Sequence, residues 1–233
     1  MADWRTIGVI GGMGPAATAD FMMRLVAGAG AATDEGHPHV LVDSNPHVPD
    51  RNAARAGQGP SPGPVLAAMA RALVAGGAQV LAMPCNAAHG WADDIIAATP
   101  AQFVSMIDAA VAEALEAVPR RVGIIAVGAT LDGRLYHDRL AAAGIDEIEC
   151  DRAAVQRLVT AIKAGDTGPA IRTAMADEAA RLVAAGADVI IAACTEVPLV
   201  LGQGDVGVPM VDATAALVTA TLAAAAHGGR GAS

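Results

Sequence analysis

Aromatic side chains are nearly missing from this chain, with two Phe, two Trp and one Tyr in 233 residues. The core must therefore come from small aliphatic residues, and 54% of the chain is hydrophobic. That composition suits parallel strands covered by helices on both faces. Basic residues are also scarce, and the formal net charge is −9. Phosphate contacts need clustered Lys and Arg, so this balance argues against a nucleic-acid partner. Small anionic substrates stay open, because one or two buried cations can serve them. The three cysteines are far apart and form no CxxC. Their placement argues against a disulfide framework or a zinc knuckle and fits a reducing cytoplasm. No uncharged apolar run reaches the length of a bilayer span, so no membrane contact is expected. The opening MADWRTIGVIGG reads as part of a fold rather than a secretory leader.

What is present is a repeated strand-and-helix pattern. A short strand at 6–10 leads through Gly11-Gly12-Met13-Gly14-Pro15 into a helix at 16–27. Pro15 suits its first turn. A strand at 39–43 precedes Ser44-Asn45-Pro46-His47-Val48-Pro49-Asp50-Arg51, expected as an ordered loop. Residues 57–64 read as a flexible connection, and a helix is expected at 65–75. Val80-Leu81-Ala82-Met83-Pro84-Cys85-Asn86 then reads as a buried strand ending in a thiol, with Asn86 as N-cap of a helix at 87–97. A strand at 100–107 and a helix opened by Asp108 follow. The pattern resumes with a strand at 121–127, a helix at 131–143, a short strand near Ile148, and helices at 152–163 and 169–185. Val189-Ile190-Ile191-Ala192-Ala193-Cys194-Thr195-Glu196 is a second strand ending in a thiol. Strand 209–212 and an alanine-rich helix close the pattern, and 227–233 is expected to fray.

The two thiol strands belong to an internal repeat. Leu73-Val74-Ala75-Gly76-Gly77-Ala78-Gln79-Val80 aligns with Leu182-Val183-Ala184-Ala185-Gly186-Ala187-Asp188-Val189, 109 residues on, and the same offset carries Cys85 onto Cys194. Ile7-Gly8-Val9-Ile10 resembles Val122-Gly123-Ile124-Ile125 in the same order. The expected fold is α/β, with two pseudo-symmetric lobes, each a parallel sheet flanked by helices. The first lobe is assigned to 1–108, completed by a C-terminal helix at 212–228, and the second to 109–211. Ligands of open parallel sheets bind beyond the carboxyl ends of strands, so the cleft between the lobes is the expected site.

A free cysteine is often just a small buried hydrophobe. Cys85 and Cys194 stand apart by matching repeat positions, strand ends and a following helix N-terminus, which favours thiolate. Cys150 is assigned to structure. Thiols on facing lobes can remove and add a proton on opposite faces of one small substrate. Gly12-Met13-Gly14-Pro15-Ala16-Ala17 formally matches a dinucleotide fingerprint, but a substrate carboxylate at that helix N-terminus fits the paired thiols better. Arg51 ends the Pro-rich loop at the expected cleft mouth, where a bidentate carboxylate contact is open to it. Lys163, the single lysine, has three readings: a surface residue, a second cation for a dicarboxylate, or a Schiff-base lysine for pyridoxal phosphate. His89 either assists the thiol or caps the lobe interface. Glu196 is placed to bond backbone amides or a substrate amine. His37, His39 and His47 lack a ligand spacing, so no metal is expected.

These motifs resemble the aspartate/glutamate racemase superfamily, and within it the aspartate racemase branch, from Ile7 to about Leu222. The resemblance rests on Gly11-Gly12-Met13-Gly14-Pro15 with Ala17-Thr18-Ala19-Asp20-Phe21, on Ser44-Asn45-Pro46 with Pro49-Asp50-Arg51, on Pro84-Cys85-Asn86 with Ala88-His89, and on Cys194-Thr195-Glu196-Val197-Pro198-Leu199. It implies two-base racemisation without a cofactor, a small amino-acid or carboxylate substrate, and often a homodimer. It also implies Cys85 and Cys194 as the two bases and Arg51 and Lys163 as holders of a side-chain carboxylate. Met13, Gly14, Asn45, Asn86, Thr130, Thr195 and Glu196 complete the expected substrate-binding set. The chain departs from the pattern at Ala87, where a threonine is usual, and at Val127 and Ala129, where Thr and Gly are usual. Two hydroxyls are thereby lost next to the expected substrate. An isomerase or decarboxylase of the same superfamily is the competing activity, and a non-catalytic ligand-binding protein is the reading from a different class.

Overall fold

Each sheet is built entirely of parallel strands, and the two sheets carry the same strand order. The structure is a computed structural model that describes residues 4–226, so the expected fraying of 227–233 lies outside it. The first lobe runs β1 (Ile7–Gly11), α1 (Pro15–Ala29), β2 (Val40–Ser44), α2 (Arg51–Arg55), α3 (Gly63–Ala75), β3 (Val80–Ala82), α4 (Ala92–Ala98), β4 (Gln102–Val104) and α5 (Met106–Leu115). The second runs β5 (Arg121–Ile125), α6 (Gly128–Asp132), α7 (His137–Ala142), β6 (Asp146–Glu149), α8 (Arg152–Lys163), α9 (Pro169–Ala184), β7 (Val189–Ala192) and β8 (Met210–Asp212). Helix α10 (Ala213–Ala225) returns to pack against α1 and α5 over β3 and β4. The expected lobe boundary at Asp108 falls inside the first turn of α5.

The strand orders are β2-β1-β3-β4 and β6-β5-β7-β8. The inner strands β1, β3 and β7 are buried along their whole length, while the edge strands β2 and β6 are half-solvated. In both sheets the strand order switches sides at the two central strands, which opens a crevice at their carboxyl ends. In one sheet those ends carry Met13 and Cys85, and in the other Val127 and Cys194.

The repeat is visible in the packing. Gly8 in β1 lies under Leu81, Ala78 and Leu73, and Gly123 in β5 lies under Ile190, Leu182 and Ala187. A methyl group at Gly8 would come within 2.8 Å of the Ala78 Cβ, and one at Gly123 within 3.2 Å of the Ala187 Cβ. Both glycines let a helix lie close on the sheet. Gly12, just past β1, serves another purpose. Its φ of 91° and the Asn45 backbone, 2.4 Å from where a Cβ would stand, exclude any side chain.

Several local expectations are corrected. Asn86 does not cap a helix with its side chain: a 3-10 turn (Ala87–Trp91) comes first, and α4 begins only at Ala92. Ser105 caps α5, its Oγ accepting from the Asp108 N–H at 3.1 Å, so Asp108 sits inside the first turn. The strand expected at 100–107 is confined to Gln102–Val104. Residues 45–50 form the expected loop, but Arg51 begins α2, because Asp50 Oδ1 accepts from the Ala53 N–H at 2.7 Å. The helix expected at 131–143 is two short helices, α6 and α7, broken between Gly133 and Tyr136.

Gly8→Ala and Gly123→Ala should each lower unfolding free energy by about 1–3 kcal/mol through overpacking, measured as urea midpoints. Similar losses in the two variants are the expected outcome, since both glycines meet the same layer of side chains.

Candidate active site

Both thiols open into one small cleft between the lobes. Cys85 and Cys194 line it from opposite lobes and are nearly inaccessible. Neither sits at a true α-helix N-terminus. Each is followed by a 3-10 turn, Ala87–Trp91 or Val197–Leu199. These turns still aim backbone N–H groups at sulfur: Ala88 at Cys85 and Glu196 at Cys194.

The two thiols have different surroundings. Burial raises the Cys85 thiol above its ordinary value, and the Arg51 guanidinium, the Ala88 N–H and the Lys163 ammonium oppose that rise. Burial also raises Cys194, well above its ordinary value, and there the Glu196 carboxylate adds to the rise. The Cys194 Sγ donates to Glu196 Oε2 at 3.1 Å, and the Thr195 hydroxyl donates to the same oxygen at 3.0 Å. Glu196 Oε1 faces the Lys163 Nζ at 3.7 Å. Cys194 is thus held as a thiol, while Cys85 has cations beside it and no carboxylate bonded to it.

Arg51 reaches the cleft from the start of α2, its Nη1 donating to the Val48 and Pro49 carbonyls at 3.2 and 3.1 Å. Those bonds steady the guanidinium and leave other donors free. Lys163, the last residue of α8, lines the cleft and is not a remote surface residue. Met13, Asn86, Thr130 and Thr195 also line it. Gly14 borders it: a Cβ there would stand 3.8 Å from Glu196 Oε1. Asn45 is not part of the lining. Its Oδ1 accepts from the His47 N–H at 2.9 Å, and its backbone wraps Gly12.

The structure adds residues that motif reading passed over. Asn52 joins the lobes, its Oδ1 accepting from the Ala129 N–H at 2.8 Å and its Nδ2 donating to Gln156 Oε1 at 3.4 Å. Gln156, Val159 and Lys163 line the cleft together. Their spacing along α8 was the available signal, since residues three and seven apart share a helix face. Ala87 and Val127, two of the positions that lack the family hydroxyls, are in the lining as well.

His89 does not touch the thiol. Its Nε2 accepts from the Met106 N–H at 3.0 Å, which leaves Nδ1 to donate to the Cys85 carbonyl at 2.9 Å. The imidazole pins the chain after Cys85 to the start of α5. Burial lowers it to about 4, so it stays neutral at ordinary pH. Cys150 does lie between a strand and a helix, contrary to expectation. Its Sγ, however, donates to the Ala126 carbonyl at 3.3 Å, and burial pushes the thiol up to about 11. Among the described residues, no cluster of three or more His, Cys, Asp or Glu is placed to hold a metal. Among them also, no helix is long and apolar enough to cross a membrane.

A two-lobed α/β protein with one thiol from each lobe in a shared cleft is the class that fold and site define. The Asp/Glu/hydantoin racemase family profile matches residues 10–221, and the chain belongs to that family. The broad-specificity amino-acid racemase RacX of Bacillus subtilis is 25% identical over 234 aligned residues, covering 93% of this chain and 96% of the relative. A glutamate racemase of Beutenbergia cavernae is 31% identical over 177 residues, covering 68% of this chain and 60% of that protein. The solved structure of Picrophilus torridus aspartate racemase superposes with a TM-score of 0.86 at 25% identity, covering 94% of both chains. The chain is accordingly an amino-acid racemase, an isomerase of the kind that works without pyridoxal phosphate.

Two outcomes check this geometry. In a background with Cys85 and Cys150 replaced by Ser, Glu196→Gln should move the alkylation profile of Cys194 to lower pH, because a charge that disfavours thiolate is removed. A profile at unchanged or higher pH would contradict it. The His89 ring should cost stability in acid. Its folded value lies below its unfolded one, so its contribution is present above pH 6.5 and is lost as pH falls towards about 4. The loss is on the order of 3 kcal/mol, and His89→Gln should remove it from the pH dependence of urea unfolding.

Proposed function

We propose that this chain interconverts the L- and D-forms of aspartate or a closely related amino acid, with Cys85 and Cys194 as its two bases. The observation that carries the proposal is the pair of thiols delivered by equivalent strand ends of two lobes into one small cleft. In one direction of this reaction Cys85 serves as the base and Cys194 as the acid. The Cys85 thiolate takes the α-proton: an S–H bond forms as the Cα–H bond breaks, and the electron pair passes into the α-carboxylate. The Cys194 thiol then gives its proton to the opposite face of the α-carbon and is left as thiolate. The reverse reaction runs from that second protonation state. Arg51 and Lys163 supply positive charge for a side-chain carboxylate and also favour the thiolate of Cys85.

The α-carboxylate is assigned to two groups from facing lobes. Asn86 Nδ2 and Thr130 Oγ1 are buried polar atoms without a protein partner, and both residues line the cleft. A buried polar atom without a partner calls for an explanation, and at these two, which line the cleft, a substrate carboxylate supplies one. Substrates close to aspartate are favoured by the two cations. The hydroxyl-free walls at Ala87 and Val127 favour a looser fit around the α-carbon than a threonine-lined cleft would give. A homodimer working in a reducing cytoplasm is part of the same proposal. Free thiols need that compartment, and Met23, Val26 and Val42 leave apolar surface on α1 and the edge strand β2.

Single L-amino acids incubated in deuterium oxide without pyridoxal phosphate should gain α-deuterium and lose optical rotation, aspartate foremost. Cys85→Ala and Cys194→Ala should each reduce racemisation by about 10²–10⁴-fold or more. No exchange with any acidic or neutral amino acid, or full activity in both variants, would sink the proposal. Loss of carbon dioxide instead of racemisation would favour a decarboxylase.

A further inference from the structure

The chain's one tyrosine is fully buried at the junction of the lobes, beside the reacting groups but outside the cleft lining. Tyr136 stands just before α7, where the expected long helix breaks. From there its hydroxyl reaches across to the other lobe and donates to Asn86 Oδ1 at 2.5 Å. Asn86 is the residue directly after Cys85, and only 3% of it is exposed. Its amide has one accepting end and one donating end, so the partner of the first decides where the second points. With Oδ1 engaged by Tyr136, Nδ2 is the end left over, buried and without a partner. No other side-chain bond of Asn86 is present among the described residues. Without the phenol, then, either amide end is free to face the cleft.

We propose that Tyr136 is a positioning residue: its hydroxyl holds Asn86 of the opposite lobe in the one amide orientation that presents a donor to the substrate carboxylate. The inference rests on the racemase reading above and on Asn86 as a carboxylate donor. Flipping the amide would present Oδ1 and place an acceptor against an anion. The effect should grow as the α-proton leaves, because negative charge then accumulates on the carboxylate and a fixed donor is worth most there. Burial holds the phenol itself far from ionisation, so it keeps the proton it donates to Asn86 Oδ1 and is no proton relay. The bond also makes the site depend on both lobes: it ties the orientation of a first-lobe donor to a second-lobe hydroxyl.

The test is a double-mutant cycle on the full chain, with kcat, KM and pH profile measured on aspartate or on the amino acid that exchanges fastest. Tyr136→Phe should lower kcat about tenfold, with little change in KM and none in the shape of the pH profile. Asn86→Ala should lower kcat/KM about 100-fold, and the double variant should be no worse than Asn86→Ala alone. Multiplying losses, an unchanged Tyr136→Phe enzyme, an unaffected Asn86→Ala enzyme, or a shift in the basic limb of the profile would each overturn the positioning role. Should Tyr136→Phe not fold, biosynthetic 3-fluorotyrosine labels this site alone, because the chain has no other tyrosine. Its fluorine resonance should move in Asn86→Ala and again when aspartate binds, and a resonance indifferent to both would overturn the inference. A wild-type protein that exchanges no amino acid would sink the racemase reading itself. An active wild type with independent losses would sink only the role of Tyr136.

Discussion

In this cleft burial opposes negative charge on either thiol. Both cysteines are shut away from water, and desolvation is the largest influence on each. Proton abstraction from a carbon acid needs that dry setting, because fixed charges and donors act more strongly where water is excluded. The same dryness would leave both thiols protonated if nothing countered it. Arg51 and Lys163 oppose that at Cys85 without reversing it, and the Glu196 carboxylate adds to it at Cys194. The two thiols thus occupy equivalent positions in unequal surroundings, although burial raises both.

The lobes supply this chemistry jointly. Arg51 comes from the first lobe and Lys163 from the second, and both bear on Cys85. The polar ties across the cleft are few and specific. Asn52 reaches the backbone of Ala129 and the side chain of Gln156, and Tyr136 reaches Asn86. Each tie involves a residue in the lining or beside it, so the cleft wall and the lobe alignment share residues. Beneath them, Gly8 and Gly123 set each helix layer close on its sheet and give the lobes matching depth.

Much of this was legible in the chain. The offset of 109 residues between Cys85 and Cys194 sits inside a longer repeat, and repeated strand ends in parallel sheets have one place to converge. Arg51 was marked by its position at the end of a proline-bounded loop, and Lys163 by being the only lysine. The misreadings share a cause. Asn86 looks like a helix cap because caps are read from neighbouring residues, yet its oxygen is taken by a tyrosine 50 positions away. Asn45 carries a family motif, but its side chain turns back on its own loop. His89 reads as an assistant to the thiol or a cap of the lobe interface, and its two hydrogen bonds instead pin the chain after Cys85 to the start of α5.

The strands that lead towards the thiols thus follow from local sequence alone, although β3 stops at Ala82 and β7 at Ala192, short of the cysteines. Apolar runs bounded by glycine and small polar residues make buried strands whatever surrounds them, and their repetition dictates two like lobes. Family membership was equally visible, because its motifs are short and contiguous. The charges around each thiol were not visible, nor was the partner of the Asn86 amide. Those are set by Glu196, Arg51, Lys163 and Tyr136 approaching within bonding or Coulomb range from separate elements. Such distances arise only when the lobes close on one another, and the charge and orientation of a buried group depend on them more than on its neighbours in the chain.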